Sequence, residues 1–438
     1  MVDKSTLIRL ALLTPIVLFL LYFGWFRDSA NRDRAHWDSP TSSIPPPPPT
    51  DERYPILAGY FPAWSIYDRN YNVVDIDAEK LTHILYAFAN VNETGAIDLG
   101  DAWADTDKHF GQEQTVNNIA DRWTTDANNL YGNFKQLYLL KRKYRHLKVS
   151  LSIGGWSWSK TFPSVAMDPI KRQRFATSAA RHVIDLGLDG IDIDWEFPKT
   201  SKEGEAFVAL LETVRSALDD LESDRPYLLS VALGCGPDNY KHLQLDKMND
   251  SVDLFYLMAY DLAGAWDATT GHQAALYGDA MSVDAAIQHF SRHVPKHKLV
   301  MGLPVYGRSY ANTDGPLSPF DGVPEGTWES GSYDYKVLPR PGADEIYDPD
   351  LGASWSYDPD RREYVTYDSA PVVRQKARYV VDEGLAGCML WELSADHTTD
   401  ERSLLAAAFA GLGSKLDDTP NHLSNPQSRY DNIRLRAE

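Results

Sequence analysis

From Tyr54 onward, short runs of nearly continuous apolar residues alternate with longer stretches whose apolar positions recur every three to four residues. The short runs are Ile56–Phe61, Thr82–Ala89, Leu147–Ile153, Gly190–Trp195, Leu228–Leu233, Asp253–Tyr260, Leu299–Tyr306 and Gly387–Trp391. Dense Ile, Val, Leu, Ala and Phe is what parallel strands covered on both faces require. Met167–Leu186, Glu203–Leu221, Val283–His293 and Val372–Glu383 carry the helical period. Asp168 stands where it can accept the first free N–H groups of its helix, and Gly187 where a left-handed residue ends one. Strands alternating with helices in this way predict an α/β fold, a (β/α)8 TIM barrel over residues 54–412.

The rhythm breaks between the seventh and eighth strands. Gly307 to Asp368 is rich in Gly, Pro, Tyr and Trp and holds short strand-like pieces, Tyr333–Leu338 and Glu363–Tyr367. It reads as an inserted α+β subdomain over 307–368, between strand 7 and helix 7. The polar segment 413–438 reads as a wrapped or loose tail.

The N-terminus has a different character. After a short segment, residues 1–6, an apolar run covers 7–26, and Leu10 to Phe26 is 17 residues without a charge. That exceeds the usual apolar core of a cleaved signal, about 7–15 residues, and no Ala-x-Ala site follows. The run reads as a signal anchor in preference to a cleaved signal peptide; either sends the chain into the secretory pathway. Residues 27–53, with Pro45 to Pro49 in succession, read as an extended proline-rich stalk. Asn92-Glu-Thr94 and Asn249-Asp-Ser251 are then glycosylation acceptors.

Composition narrows the function. Forty-three Lys and Arg against 62 Asp and Glu give a net charge of −19. Such a balance disfavours nucleic acid, whose phosphates need clustered cations. Two cysteines, Cys235 and Cys388, are too few for a disulfide scaffold or a thiolate zinc cluster, and read as buried thiols. There is no P-loop and no nucleophile elbow. His289, His293 and His297 are spaced like metal ligands, but Pro295 interrupts their helix, so they read as a polar helix end.

The chemistry concentrates in Asp189-Gly-Ile-Asp192-Ile-Asp194-Trp-Glu196. On a strand, 192, 194 and 196 share one face, while Ile191, Ile193 and Trp195 take the other. In a barrel the apolar set packs on the helices, and the acids climb towards the C-terminal mouth where barrel enzymes keep their chemistry. Carboxylates so close repel, so one keeps a proton near neutral pH, as a general acid must. A calcium or magnesium site and a solvated edge strand are the alternatives; neither accounts for the bulky apolar residues between the acids.

The segment Asp189 to Glu196 resembles the D-x-x-D-x-D-x-E signature of glycoside hydrolase family 18, the chitinases. Ser152-Ile-Gly154-Gly155-Trp156, Met258-Ala-Tyr260-Asp261, Trp391-Glu392 and Gly302-Leu-Pro-Val-Tyr306-Gly-Arg308 resemble further motifs of that family, in the same order. The likeness runs over about residues 54 to 436, including Tyr430-Asp-Asn-Ile-Arg434, and is greatest to the secreted fungal endochitinases. The apolar run and proline stalk stand outside it.

The resemblance implies a retaining glycosidase without a protein nucleophile. Glu196 is then the general acid and base. Asp194 holds the acetamido N–H of the reacting sugar, Asp192 shares a proton with Asp194, and Tyr260 orients the acetamido carbonyl. Trp391 would floor the reacting-sugar site. Tyr60, Trp64, Trp156 and Trp266 are candidates for neighbouring sugars. Met258, Asp261, Tyr306 and Arg308 would line the pocket. The implied ligands are chitin and chito-oligosaccharides, with no metal or organic cofactor, no nucleic acid, and membrane contact only through an uncleaved apolar run; a monomer is expected. An endo-N-acetylglucosaminidase acting on N-glycans and a non-catalytic chitin-binding lectin are the rival readings on the same fold.

Overall fold

The computed structural model describes residues 53–123, 128–221, 223–398 and 401–435. Eight parallel strands close on themselves: Ile56–Pro62, His83–Val91, Lys148–Gly154, Gly190–Asp194, Leu228–Gly234, Leu254–Met258, Leu299–Pro304 and Gly387–Trp391, each hydrogen-bonded to the next and the last to the first. A short antiparallel strand, Ile97–Leu99, extends the second of them. Alternation along each strand makes two cores. Leu57, Phe61, Ile84, Tyr86, Leu151, Ile153, Ile191 and Ile193 point outward into the layer shared with the helices. Ala58, Tyr60, Leu85, Ala87, Ala232, Tyr256 and Met389 fill the barrel itself.

The helices Pro169–Leu186, Ser201–Asp219, Val283–Phe290 and Ala370–Glu383 lie within one or two residues of the predicted ranges, apart from the C-terminal end of the third. Asp168 accepts the N–H groups of Ile170 and Lys171, and Gly187 ends its helix with φ 68°. The predicted helix to His293 stops at Phe290, ahead of Pro295, which has no N–H and cannot follow a helical residue easily. Between the first and second barrel strands the connection is made of 3₁₀ turns, Ala63–Ile66 and Val73–Asp75.

The seventh strand is shorter than predicted. It ends at Pro304, and Tyr306–Tyr310 joins a separate antiparallel sheet with Ser332–Asp334, Asp344–Asp348, Ala353–Asp358 and Glu363–Tyr367. The apolar pattern runs through both strands, so period alone does not reveal the switch at Val305, whose N–H donates to the Trp391 carbonyl. The expected strand Tyr333–Leu338 is a correction too. Only Ser332–Asp334 pairs, and Tyr335–Val337 is a 3₁₀ turn.

The segment beyond Gly413 lies against the N-terminal end of the barrel. The Asn421 amide donates to the carbonyls of Lys141, Tyr144 and Leu147. The His422 N–H donates to Asp189, which also takes the Val149 N–H and, at 2.7 Å, the buried Lys141 ammonium. Removing one member of such a buried pair costs about 3–5 kcal/mol, because the other is left charged and dry. Cys235 and Cys388 are free and buried. Among the described residues no helix is long and apolar enough to cross a membrane. Leu7–Phe26 and residues 27–52 of the proline stalk lie outside the described residues.

Candidate active site

Asp192 sits mid-barrel, and the strand register explains its partners. Ser152 on the third strand and Ser230 on the fifth stand opposite it on either side. Both hydroxyls donate to its carboxyl at 2.7 Å, and the Tyr60 hydroxyl adds a third bond at 2.9 Å. Burial pushes the Asp192 carboxyl up, and these three donors pull it back. Tyr60 is 1% exposed. It therefore supports the site from below instead of facing a neighbouring sugar, a placement that its aromatic character alone does not distinguish.

Asp194 ends the fourth strand two residues nearer the mouth. It is buried, and its Oδ1 meets no donor. A buried polar atom without a partner calls for an explanation at a functional position. Burial, then the charges of Glu196 and Asp192, raise its carboxyl well above the ordinary range. The chain turns away behind it: Ile191 and Ile193 enter the outer core, where the Trp195 ring stacks on Phe162 at 5.5 Å. Gly154 makes this possible, since with φ 114° a Cβ there would lie 2.2 Å from the Asp194 carbonyl.

Glu196 lies past the strand end and is half-buried. Its N–H donates to the Ser159 hydroxyl at 2.8 Å. Burial and then the charge of Asp261 push its carboxyl up to about 7, against a lowering bond from the Trp156 backbone. At neutral pH a large share of the molecules thus hold this proton, in a group water can still reach.

The sixth strand delivers the other side. The Tyr260 phenol is buried, and burial with the charges of Asp194, Asp261 and Glu196 keeps it protonated, able to donate. Asp261 has φ 56° and is held by Tyr306 at 2.6 Å and by Arg308 through two parallel bonds at 2.8 and 2.7 Å. Fork-to-carboxylate pairing of this kind fixes direction as well as charge. Tyr306 and Arg308, the first and third residues after the switch at Val305, therefore brace the loop after the sixth strand. The Gln273 amide adds to the brace, donating to the Tyr306 carbonyl at 2.8 Å.

Trp391 ends the eighth strand half-buried, edge-on to Tyr60 at 5.0 Å and stacked with Phe88 at 5.6 Å. Met258 packs with the inner core beside it. Trp64, Trp156 and Trp266 remain 42%, 76% and 62% exposed. Each is a large apolar ring left in water. The Arg308 guanidinium lies 5.6 Å from the Trp266 ring centroid.

Two features were not foreseen from sequence. Phe88 joins Trp64, Tyr60 and Trp391 in one ring cluster; it lies one residue from the end of the predicted second strand and has no motif around it. Arg69 ties together Asp334 at 3.0 Å and Glu392 at 3.2 Å while lying over the Trp328 ring. It connects the loop after the first strand, the inserted sheet and the residue after Trp391. These positions are far apart in the chain, so no local signal announces the contact.

The model of glycosyl hydrolases family 18 matches residues 56–396. Chitinase 1 of Aphanocladium album is 41% identical over 389 residues, 86% of this chain and 90% of that protein. Endochitinase 1 of Metarhizium robertsii is 40% identical over 391 residues, with the same coverage of each chain. Among solved structures, the catalytic domain of a psychrophilic chitinase B from Arthrobacter TAD20 superposes with a TM-score of 0.76 at 31% identity, covering 84% of this chain and 96% of that one. The barrel, the acids at its mouth and these likenesses agree: the chain belongs to glycosyl hydrolase family 18.

Proposed function

We propose that this protein is a chitinase that hydrolyses β-1,4 bonds between N-acetylglucosamine units with retention of configuration, using the substrate's own acetamide as nucleophile. The observation that carries the reading is the pairing of Asp194, buried with one oxygen lacking a protein partner, with Glu196, held near pH 7 within reach of solvent. Glu196 passes its proton to the glycosidic oxygen as that bond breaks. The acetamido oxygen closes on the anomeric carbon, and the acetamido N–H supplies the donor that Asp194 Oδ1 lacks. The negative charge of Asp194 stabilises the oxazolinium ion so formed. Asp192, beneath it, shares a proton with Asp194. The Tyr260 hydroxyl points the acetamido carbonyl at the anomeric carbon. Glu196, now a base, takes a proton from the water that opens the ring.

In this reading Trp391 floors the pocket, with Met258 beside it, and Trp64, Trp156 and Trp266 stack on neighbouring sugars. Asp261, Tyr306 and Arg308 act as a braced wall. We also read Leu7–Phe26 as a signal anchor, with residues 27–53 holding the barrel clear of the lipid and facing the cell wall. Recovery of a soluble product whose N-terminus begins near Asn31 would contradict the anchor.

The substrate assignment is tested by incubating the protein with chitin oligomers and, separately, with an N-glycosylated glycoprotein. Shortening of the oligomers with the glycoprotein untouched is expected. Release of the glycan alone would assign an endo-N-acetylglucosaminidase; oligomer binding without cleavage would assign a lectin.

A further inference from the structure

We propose that Asn92 carries an N-linked glycan and that Asn249, the other acceptor sequence, does not. The inference rests on the export read above for the N-terminus, and on a difference between the two sites that the sequence does not contain.

Asn92 opens the tight turn between the second barrel strand and Ile97–Leu99. Its N–H donates to the Ala96 carbonyl, and its own carbonyl accepts from Gly95, both at 2.9 Å. Its side-chain Oδ1 takes the Thr94 N–H at 3.0 Å, the Thr94 hydroxyl at 2.7 Å and the Ala96 N–H at 3.2 Å. All these bonds lie within five residues, so a nascent chain can form the turn before the barrel closes around it. With the amide oxygen facing inward to the turn, the nitrogen faces outward. Nδ2 donates one N–H to Asp98 at 2.8 Å, and Glu93, Thr94 and Asp98 are all exposed. Beyond Asp98 lies an open surface groove that Leu99, Ile170 and Arg174 also line, with Ile170 72% exposed. A saccharide leaving Nδ2 meets that groove and no core.

Asn249 differs in its surroundings. Like Asn92 it is half-buried, but it follows the helical turn Leu245–Met248, with its N–H on the Leu245 carbonyl at 3.0 Å. Its carbonyl accepts from the Lys298 ammonium at 2.8 Å, and its Oδ1 is buried without a partner. The Ser251 hydroxyl that completes the acceptor sequence sits on a residue only 8% exposed. Its Oδ1 takes neither the Ser251 N–H nor the Ser251 hydroxyl, so the turn that presents Asn92 is not formed here.

The step forms a bond from Nδ2 of Asn92 to the anomeric carbon of a lipid-pyrophosphate-linked oligosaccharide. The anomeric C–O bond breaks, the lipid pyrophosphate leaves, and the amide proton passes to a base of the transferase. The second N–H of Nδ2 remains and can keep its bond to Asp98.

The test expresses the full chain in yeast with its own N-terminus, with protection of the barrel from protease in sealed microsomes as proof that it reached the lumen. One mobility step removable by peptide:N-glycosidase is expected. It should vanish in N92Q and in T94A, which leaves the turn-forming asparagine in place, and persist in T94S and N249Q. Digestion in heavy-oxygen water should label Asn92 alone. A lumenal chain with no step, with two steps, or with a step lost only in N249Q overturns the proposal. The export reading is judged separately, by that protection: a barrel open to protease refutes export and the glycan with it, whereas a protected barrel without the step refutes the glycan alone.

Discussion

Glu196→Gln is expected to lower kcat by at least about 10²-fold, the lower end of the range for loss of a positioned general acid and base. Binding of chito-oligosaccharides should persist, because the amide keeps the shape and polarity of the carboxyl and the aromatic surfaces are untouched. The same residue sets the alkaline limb of the pH profile. Its carboxyl is pushed up to about 7, and only the protonated form can donate to the leaving oxygen. Activity of the parent should therefore fall as the pH rises through that region, and the residual activity of Glu196→Gln should lose the dependence. Steady-state kinetics across pH, with calorimetric binding of an oligomer to the variant, checks both. A variant retaining more than about one percent of parental kcat would remove Glu196 from the acid–base role.

Asp194→Asn is expected to cost about 10²–10³-fold in kcat, comparable with removing a group aimed at developing charge. The reason differs from that for Glu196. An amide at this position can still accept an N–H, but it cannot oppose the positive charge of an oxazolinium ion. Its own NH₂ would also enter a buried place where Oδ1 now has no donor and needs none until substrate arrives. KM should change much less than kcat, since the loss falls on the charged intermediate and its transition states. Near-parental kcat in Asp194→Asn would mean that the acetamide is not the nucleophile.

The fold was legible wherever one period governed a segment. The barrel strands and the long helices follow from apolar spacing because parallel strands must be covered on both faces. The same logic correctly assigned the two sides of the acidic strand: Ile191, Ile193 and Trp195 lie in the outer core while Asp192 and Asp194 point inward. It failed at Val305. There an apolar run passes from one sheet to another without a change of period, and only tertiary pairing tells the two strands apart.

The site was legible to the extent that its residues are neighbours in sequence or belong to a family motif. Ser152 belongs to such a motif, but its bond to Asp192, and that of Ser230, follow from strand register, which a sequence does not display. Aromatic character suggests Tyr60 for a neighbouring sugar, whereas burial sets it beneath Asp192. The tie from Arg69 to Asp334 and Glu392 spans more than 250 residues and was invisible for that reason. Asp189 shows the converse. It opens the acidic signature, but it lies at the closed end of the barrel, paired with Lys141 and the C-terminal segment, and its task is structural.

The central claim is that the acetamide of the substrate, and not water, attacks the anomeric carbon first. Proton NMR of the earliest products of oligomer cleavage tests it most directly. Two successive inversions at one carbon restore the starting configuration, so the β anomer should appear first and mutarotate afterwards to the equilibrium mixture. Appearance of the α anomer first would mean a single displacement by water and would contradict the account.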